Sequence, residues 1–243
     1  MYFKRLQAIA AGPERDHWAD LAAGIAALGA PVDPGFAARG RVFLDELDRW
    51  NRVFRLTGYP TEAARVRHLL LDSLLFLAVL PAASSPILDL GSGAGVPGLV
   101  LKLARPEWAV HLVEANRRRA NFLRQAARRL ELAAVTVHEA RAESLPIRED
   151  LTRAFGAVTV RAVAAPDAAV ALARPFVRPG GRLVIALGPG RRPRVGTVRR
   201  VALSVPGAGL RIERTFLILA ADDSAGAESG VPRETPRGAW PES

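Results

Sequence analysis

The sequence predicts an α/β fold in which a seven-stranded, mostly parallel sheet is wound on both faces by helices and preceded by a helical cap. Three observations predict it. Residues 87–98 read Ile-Leu-Asp-Leu-Gly-Ser-Gly-Ala-Gly-Val-Pro-Gly, an apolar strand that delivers an acid into three alternating glycines and then into a helix. Between residues 86 and 220 short apolar runs alternate with helix-patterned stretches, as a sheet built from crossover units demands. Ahead of them, Phe36, Phe43, Leu47, Trp50 and Phe54 recur at three, four or seven residues, the mark of an amphipathic helix.

In chain order, residues 1–33 are alanine-rich and punctuated by Gly12-Pro13 and Pro31-Val32-Asp33-Pro34, which supports a short helix or a loose N-terminal arm. Residues 34–85 form the cap, with one helix from the aromatic periodicity and a second over Thr61–Leu80 that Thr61 caps. Residues 86–220 carry the sheet. Strands are expected at 87–90, 110–114, 134–138, 157–160, 182–187, 199–205 and 214–220, with helices at about 97–105, 116–130 and 166–174. Pro97 suits the first turn of its helix, where a missing N–H is no loss. After Ala221 the chain turns to Asp, Ser, Gly, Pro and Glu with little apolar content, so 221–243 is expected to be a disordered tail.

At 243 residues the chain is long enough to bury most of its apolar surface without crosslinks. It has no cysteine, which excludes disulfides, thiolate metal sites and a cysteine nucleophile and permits a reducing compartment. Four scattered histidines offer no compact ligand set, so no metal is expected. Met1–Gly12 holds Lys4 and Arg5, but its apolar stretch is interrupted by Gln7 and makes a poor signal peptide. The longest apolar run, Leu69–Leu80, is broken by Asp72-Ser73 and closed by Pro81, too short to cross a bilayer. A cytoplasmic protein without a membrane partner is expected, acting as a monomer. The net charge is +10, carried almost wholly by arginine, with lysine only at Lys4 and Lys102. Much of it is local, since Arg161–Arg214 holds eleven arginines against Asp167 and Glu213. Such a face attracts a phosphate backbone with strong salt dependence, although the same run also reads as a solvated surface.

The glycine loop carries the chemistry. Without Cβ, its residues take positive φ and let backbone N–H groups lie against a ligand. A P-loop needs Gly-Lys-Ser/Thr at its end, and this chain has Val96-Pro97-Gly98 instead. Gly93, Gly95 and Gly98 still satisfy the dinucleotide pattern, with Glu114 about 20 residues on to bind a ribose hydroxyl. The order acid-x-Gly-x-Gly-x-Gly from Asp89 through Gly91, Gly93 and Gly95 instead resembles motif I of the class I methyltransferases, which use S-adenosyl-L-methionine. In a doubly wound sheet the ligand lies beyond the strands' carboxyl ends. Asp89-Gly91, Glu114, Arg141-Ala142-Glu143 and Arg161-Ala162 follow the first four strands and meet at that edge. Each has a plainer reading: Glu114 as a helix cap near Asn116, Glu143 as a surface acid, Arg161 as a surface ion pair. His68 and Asp72, four apart, either touch the pocket or form a helix-stabilising ion pair.

Trp50-Asn51, Leu56-Thr57, Arg67-His68, Asp72-Ser73, the loop Asp89–Gly98, Arg117-Arg118-Arg119 before Phe122-Leu123, Arg141-Ala142-Glu143 and Arg161-Ala162 together resemble the small-subunit ribosomal RNA methyltransferase G family, also called glucose-inhibited division protein B. The resemblance runs from about Phe36 to Ala220. It implies a Rossmann-like class I methyltransferase fold and N7 methylation of a guanine in the decoding-centre hairpin of 16S rRNA, either naked or in the small ribosomal subunit. It also implies cofactor contacts at Gly91, Val96, Ala142, Glu143 and Arg161, with Glu114 at the ribose. Guanine N7 carries an in-plane lone pair and no proton, so no catalytic acid or base is named. Arg161, His68 and Asp72 are positioning candidates.

The chain departs from the family pattern at four places. Arg55 stands for an asparagine, an extra leucine lies between His68 and Asp72, Gly156 replaces an aspartate, and Gly188 replaces a lysine near the substrate cavity. Arg191, Arg192 or Arg194 are candidates to compensate for that lysine. The alternatives are a small-molecule methyltransferase, which would gain little from an arginine-rich face, and a noncatalytic ribosome-binding paralogue.

Overall fold

The computed structural model describes residues 16–147, 149–161, 165–191 and 193–221; Ala162, Arg192, the first fifteen residues and most of the expected tail lie outside them. The apolar runs become β1 (Ile87–Leu90), β2 (Val110–Val113), β3 (Val135–His138), β4 (Phe155–Arg161), β5 (Val177–Leu187), β6 (Thr197–Val205) and β7 (Leu210–Ala220). They form one seven-stranded sheet in the order β3-β2-β1-β4-β5-β7-β6. The first five strands run parallel, while β7 pairs antiparallel with both β5 and β6. The last two strands outrun their apolar patterns because they zip together across Pro206-Gly207-Ala208-Gly209, from Val205 opposite Leu210 onward.

Strand order reverses between β1 and β4, the crevice where such folds bind ligands. The helices are α1 (His17–Leu28), α2 (Phe36–Asn51), α3 (Glu62–Arg65), α4 (Asp72–Leu74), α5 (Gly98–Ala104), α6 (Arg117–Arg129) and α7 (Pro166–Ala173). One core joins α1, α2, α5 and α6 to one face of the sheet through Leu21, Phe43, Leu101 and Phe122, all fully buried. A second core packs Leu145, Leu151, Ala169 and Phe176 on the other face. Each leucine or phenylalanine so buried stabilises the fold by about 1.5–3 kcal/mol. Pro97 occupies the N-cap of α5 and the helix begins at Gly98, one residue later than the first-turn placement expected for the proline.

The N-terminal segment contributes α1, which Asp16 opens by accepting the Trp18 N–H at 2.9 Å and Gly29 closes in the left-handed region. Thr61 caps α3, as its hydroxyl oxygen accepts the Ala64 N–H at 3.2 Å. The single helix expected over 61–80 is instead four joined pieces. After α3 the chain makes a π-helical turn, Val66–Leu71, then α4, then a 3-10 turn, Leu75–Ala78. In the π turn the Asp72 N–H bonds the Arg67 carbonyl, five residues back. A π turn holds one more residue than an α turn, so the turn has room for the extra leucine that the family resemblance marks between His68 and Asp72.

Gly156 has a comparable local cause. A Cβ there would stand 2.5 Å from the Ser84 carbonyl oxygen, so no aspartate fits at the amino end of β4.

Candidate functional site

The loop after β1 is held from beneath by Asp89, which is fully buried. Register places Asp89 opposite Thr159 on β4, and its Oδ1 accepts the Thr159 hydroxyl at 2.9 Å. Its Oδ2 accepts the Gly98 N–H at 3.1 Å, tying the first residue of α5 back to the strand. The Gly91 and Ser92 N–H groups both donate to the Val113 carbonyl at 2.9 Å, fastening the loop to the end of β2. Gly91, Gly93 and Gly95 have φ of 74°, 54° and 84°. At Gly93 a Cβ would meet nothing nearer than the Gly91 carbonyl oxygen at 3.8 Å, so the loop shows an open backbone face there.

Burial pushes the Asp89 carboxyl up to about 6, against the hydrogen bonds from Thr159, Ser92 and Gly98 and the charge of Arg161. The folded chain therefore holds this proton more tightly than the unfolded chain. The stability so contributed is complete below the ordinary value of 3.8 and is lost as pH rises through about 6. Over that window it amounts to roughly 3 kcal/mol at most. Asp89→Asn is expected to remove this component, so urea midpoints of wild type and variant should diverge between about pH 4 and pH 7. Parallel pH profiles would show that Asp89 titrates normally.

Glu114, just beyond β2, joins two elements. Its Oε2 accepts the Gly93 N–H at 2.9 Å and its Oε1 accepts the Asn116 N–H at 2.8 Å. Asn116 is itself the N-cap of α6. The helix-cap reading and the ligand reading thus meet in one residue, because the carboxylate braces the cap and borders the glycine loop together. Ala142 and Glu143 start a 3-10 turn, Ala142–Ile147, after β3; Leu145 anchors it in the second core, while Glu143 is exposed. Val96 is half-buried and packs against the first core.

Across the crevice, Arg161 ends β4. Its Nη2 donates to the His68 carbonyl at 3.1 Å and stands 3.0 Å from Asp72 Oδ2, while Nη1 is buried with no hydrogen-bond partner among the described residues. Asp72 is 1% exposed and pairs through Oδ1 with Arg214 of β7. The expected His68–Asp72 ion pair is not made. The π turn breaks the four-residue repeat, Asp72 turns to two arginines, and the His68 ring stacks on Tyr59 at 4.7 Å. Burial, followed by the charge of Arg67, lowers the His68 pKa below 6.5 against the pull of Asp72, so the ring is neutral at pH 7. Arg161 likewise does not form a surface pair, since its side chain is only 16% exposed.

The glycine loop, Glu114, the turn at Ala142-Glu143 and Arg161 lie at or just beyond the carboxyl ends of β1, β2, β3 and β4. Thr159 and Arg214 are the members that the sequence reading missed. A lone threonine inside the apolar run Ala157–Val160 is the signal for the first; nothing local marks the second. A cavity of about 470 Å3 lies elsewhere, along α6 and the amino end of β3. Among the described residues, no helix is long and apolar enough to cross a membrane, and no cluster of three or more His, Asp or Glu residues is placed to hold a metal ion.

A family model described as GidB, rRNA small subunit methyltransferase G, matches residues 39–194. A ribosomal RNA small subunit methyltransferase G of Chloroflexus aggregans is 40% identical over 162 residues, covering 67% of this chain and 68% of the relative. That of Xanthomonas oryzae pv. oryzae is 39% identical over 157 residues, 65% of this chain and 71% of the relative. The protein of the same name from Xanthomonas campestris pv. campestris is 36% identical over 200 residues, 79% of this chain and 90% of the relative.

Proposed function

The chain belongs to the rRNA small subunit methyltransferase G family, and from that premise we propose that it transfers the methyl group of S-adenosyl-L-methionine to N7 of a guanine in the decoding-centre hairpin of 16S rRNA. The observation that carries this reading is the meeting of Glu114 with the open glycine loop at the strand-order reversal, opposite an arginine whose buried Nη1 has no partner among the described residues. These residues fit the donor in kind. Glu114 would accept hydrogen bonds from the ribose hydroxyls, and Gly91, Gly93, Gly95 and Val96 would line the amino-acid end. Ala142 and Glu143 would border the adenine, and Arg161 Nη1 is suited to the donor's carboxylate or to the substrate. Asp89 supports the loop from below rather than touching the ligand.

When bound, the donor supplies an electrophilic methyl group on a sulfonium. Guanine N7 has no proton to lose, so the chain's work is alignment and electrostatics. His68, kept neutral, adds no positive charge where charge develops on the purine. Arg161 is held by His68 and Asp72 and acts by positioning. Gly188 follows β5 toward the same edge, and a Cβ built there would lie 3.9 Å from the Arg191 side chain, which supports Arg191 as the replacement for the family's lysine. A monomer without metal, working in the cytoplasm where rRNA is found, suits a surface whose exposed large apolar residues, among those described, are Val53 and Val195.

Calorimetric titration tests the cofactor, and label mapping tests the reaction. S-adenosylmethionine should bind and NADH should not, with binding lost in Gly93→Val. Radiolabelled methyl should then appear at N7 of one guanine in unmodified 16S rRNA or small subunits. Binding of NADH alone, or label on another atom, would sink the proposal.

A further inference from the structure

A second cleft, about 260 Å3, opens between the loop after α2 and the first turn of α6, lined by Val53, Phe54, Arg55, Leu56, Arg118 and Arg119. It is built onto the site already described. Asn51 Oδ1 accepts the Leu56 and Thr57 N–H groups at 2.8 and 3.1 Å and folds the loop back. On the opposite side Asn116, whose N–H is held by Glu114, accepts the Arg118 and Arg119 N–H groups at 3.0 and 3.2 Å. One side of the cleft therefore hangs from the residue proposed for the ribose.

Among the described residues, no acid makes an ion pair with the arginines of this cleft. Arg117, Arg118 and Arg119 are consecutive and exposed in the first turn of α6, which contains no acid. A helix dipole disfavours cations at that end, so the placement costs stability. The ion pairs of α6 among the described residues are made further along, by Arg124 with Glu139 and Arg129 with Glu46. The Arg118 and Arg119 backbone N–H groups are taken up by Asn116, and all three arginine side chains are exposed.

Beside them, Val53 is 73% exposed, and the Arg118 guanidinium lies 4.8 Å above the half-buried Phe54 ring. The arginines of 161–214 are largely engaged instead. Arg161 and Arg214 hold Asp72, Arg200 and Arg211 share Glu213, and Arg178 and Arg182 donate to the Ala83 and Val79 carbonyls.

Cations without an acidic partner among the described residues, set around an apolar and aromatic step, match an unstacked polynucleotide strand, whose phosphates take the guanidiniums and whose bases stack on rings and guanidinium planes. We propose that this cleft holds the rRNA strand flanking the target guanine, an inference that rests on the rRNA methyltransferase reading. An acidic protein segment would use the charges but leave the stacking surface unexplained.

The test is binding of an unmethylated 16S rRNA transcript over a salt series. The triple variant Arg55→Gln, Arg118→Gln, Arg119→Gln should lose at least tenfold in affinity. Its log–log salt slope should flatten by about two, the share of three phosphates on a single strand. Its titration with S-adenosylmethionine should match wild type, showing that it folds. Phe54→Leu should weaken binding with the slope unchanged, and Arg118→Lys with Arg119→Lys should keep the slope. Arg199→Gln with Arg200→Gln, on β6, should change affinity less than twofold. The proposal is overturned if the triple variant keeps wild-type affinity and slope, or if the β6 variant loses as much. It is equally overturned if the triple variant binds the naked transcript normally and fails only on assembled subunits, which would make the partner a ribosomal protein. Cleft-dependent binding by a wild type that methylates no N7 would support the cleft and count against the methyl-transfer reading.

Discussion

Asp72→Ala is expected to destabilise the protein by about 3 kcal/mol and to abolish turnover. Asp72 is 1% exposed and faces two guanidiniums, Arg161 from β4 and Arg214 from β7, whose side chains are 16% and 29% exposed. Removing the common anion of a buried pair leaves cations without compensation, a loss of about 3–5 kcal/mol when solvent is excluded. The partial exposure of Arg214 puts the expected value at the low end. Arg161 would keep its bond to the His68 carbonyl but lose the charge that fixes the guanidinium, and like-charge repulsion from Arg214 would swing it. Asp72→Ala with Arg214→Met should regain part of the stability by relieving that repulsion. It should regain little turnover, since Arg161 would remain unsupported. Urea midpoints at constant m report the first quantity, and steady-state methylation reports the second. A loss under about 1 kcal/mol would mean that solvent already screens the junction.

This junction also marks where the sequence stops being legible. All seven strands are visible in the sequence: β1 and β4 read as continuous apolar runs because both faces are covered, whereas β6 is marked by alternation, most of it being exposed. The glycine loop and Glu114 are legible for the same reason, since each follows a strand end and strand ends define the crevice. The His68–Asp72 ion pair rests on α-helical spacing, and the π turn over Val66–Leu71 changes that spacing. The two arginines on Asp72 come from residues 89 and 142 positions away, a proximity created only by β4 and β7 flanking β5. Arg117–Arg119 are visible as a motif, whereas the lack of acidic partners for them among the described residues depends on the fold that sets Asn116 and Phe54 beside them. Local pattern thus carries the scaffold and the glycine loop at its strand end. Long-range charge pairing, such as that of Asp72 with Arg161 and Arg214, is not encoded in any single window.

The same distinction separates the two glycines that shape the loop. In Gly98→Ala the added methyl would stand 2.4 Å from Leu112 Cδ2, 2.7 Å from Asp89 Oδ2 and 2.9 Å from Asp89 Cβ. The leucine tip can rotate away. Asp89 cannot, because Thr159 holds one oxygen and the Gly98 N–H holds the other. The methyl must therefore part α5 from β1 or expel the carboxylate, adding an overpacking cost of about 1–3 kcal/mol to a lost buried hydrogen bond of about 1–3 kcal/mol. Against a typical total of about 5–15 kcal/mol, Gly98→Ala should melt far below wild type. About 3 kcal/mol of that strain borne by the loop would also weaken donor binding by about two orders of magnitude. At Gly93 the nearest atom to an added Cβ is 3.8 Å away, so Gly93→Ala carries only the strain of φ at 54°, about 1–2 kcal/mol. Its methyl would project into the open face proposed for the donor, so affinity should fall while the fold survives. Thermal melts and donor titrations of the two variants should therefore separate: Gly98→Ala losing fold and binding together, Gly93→Ala losing chiefly binding. Wild-type melting of Gly98→Ala would show that Asp89 is free to move and would remove it as the support of the loop.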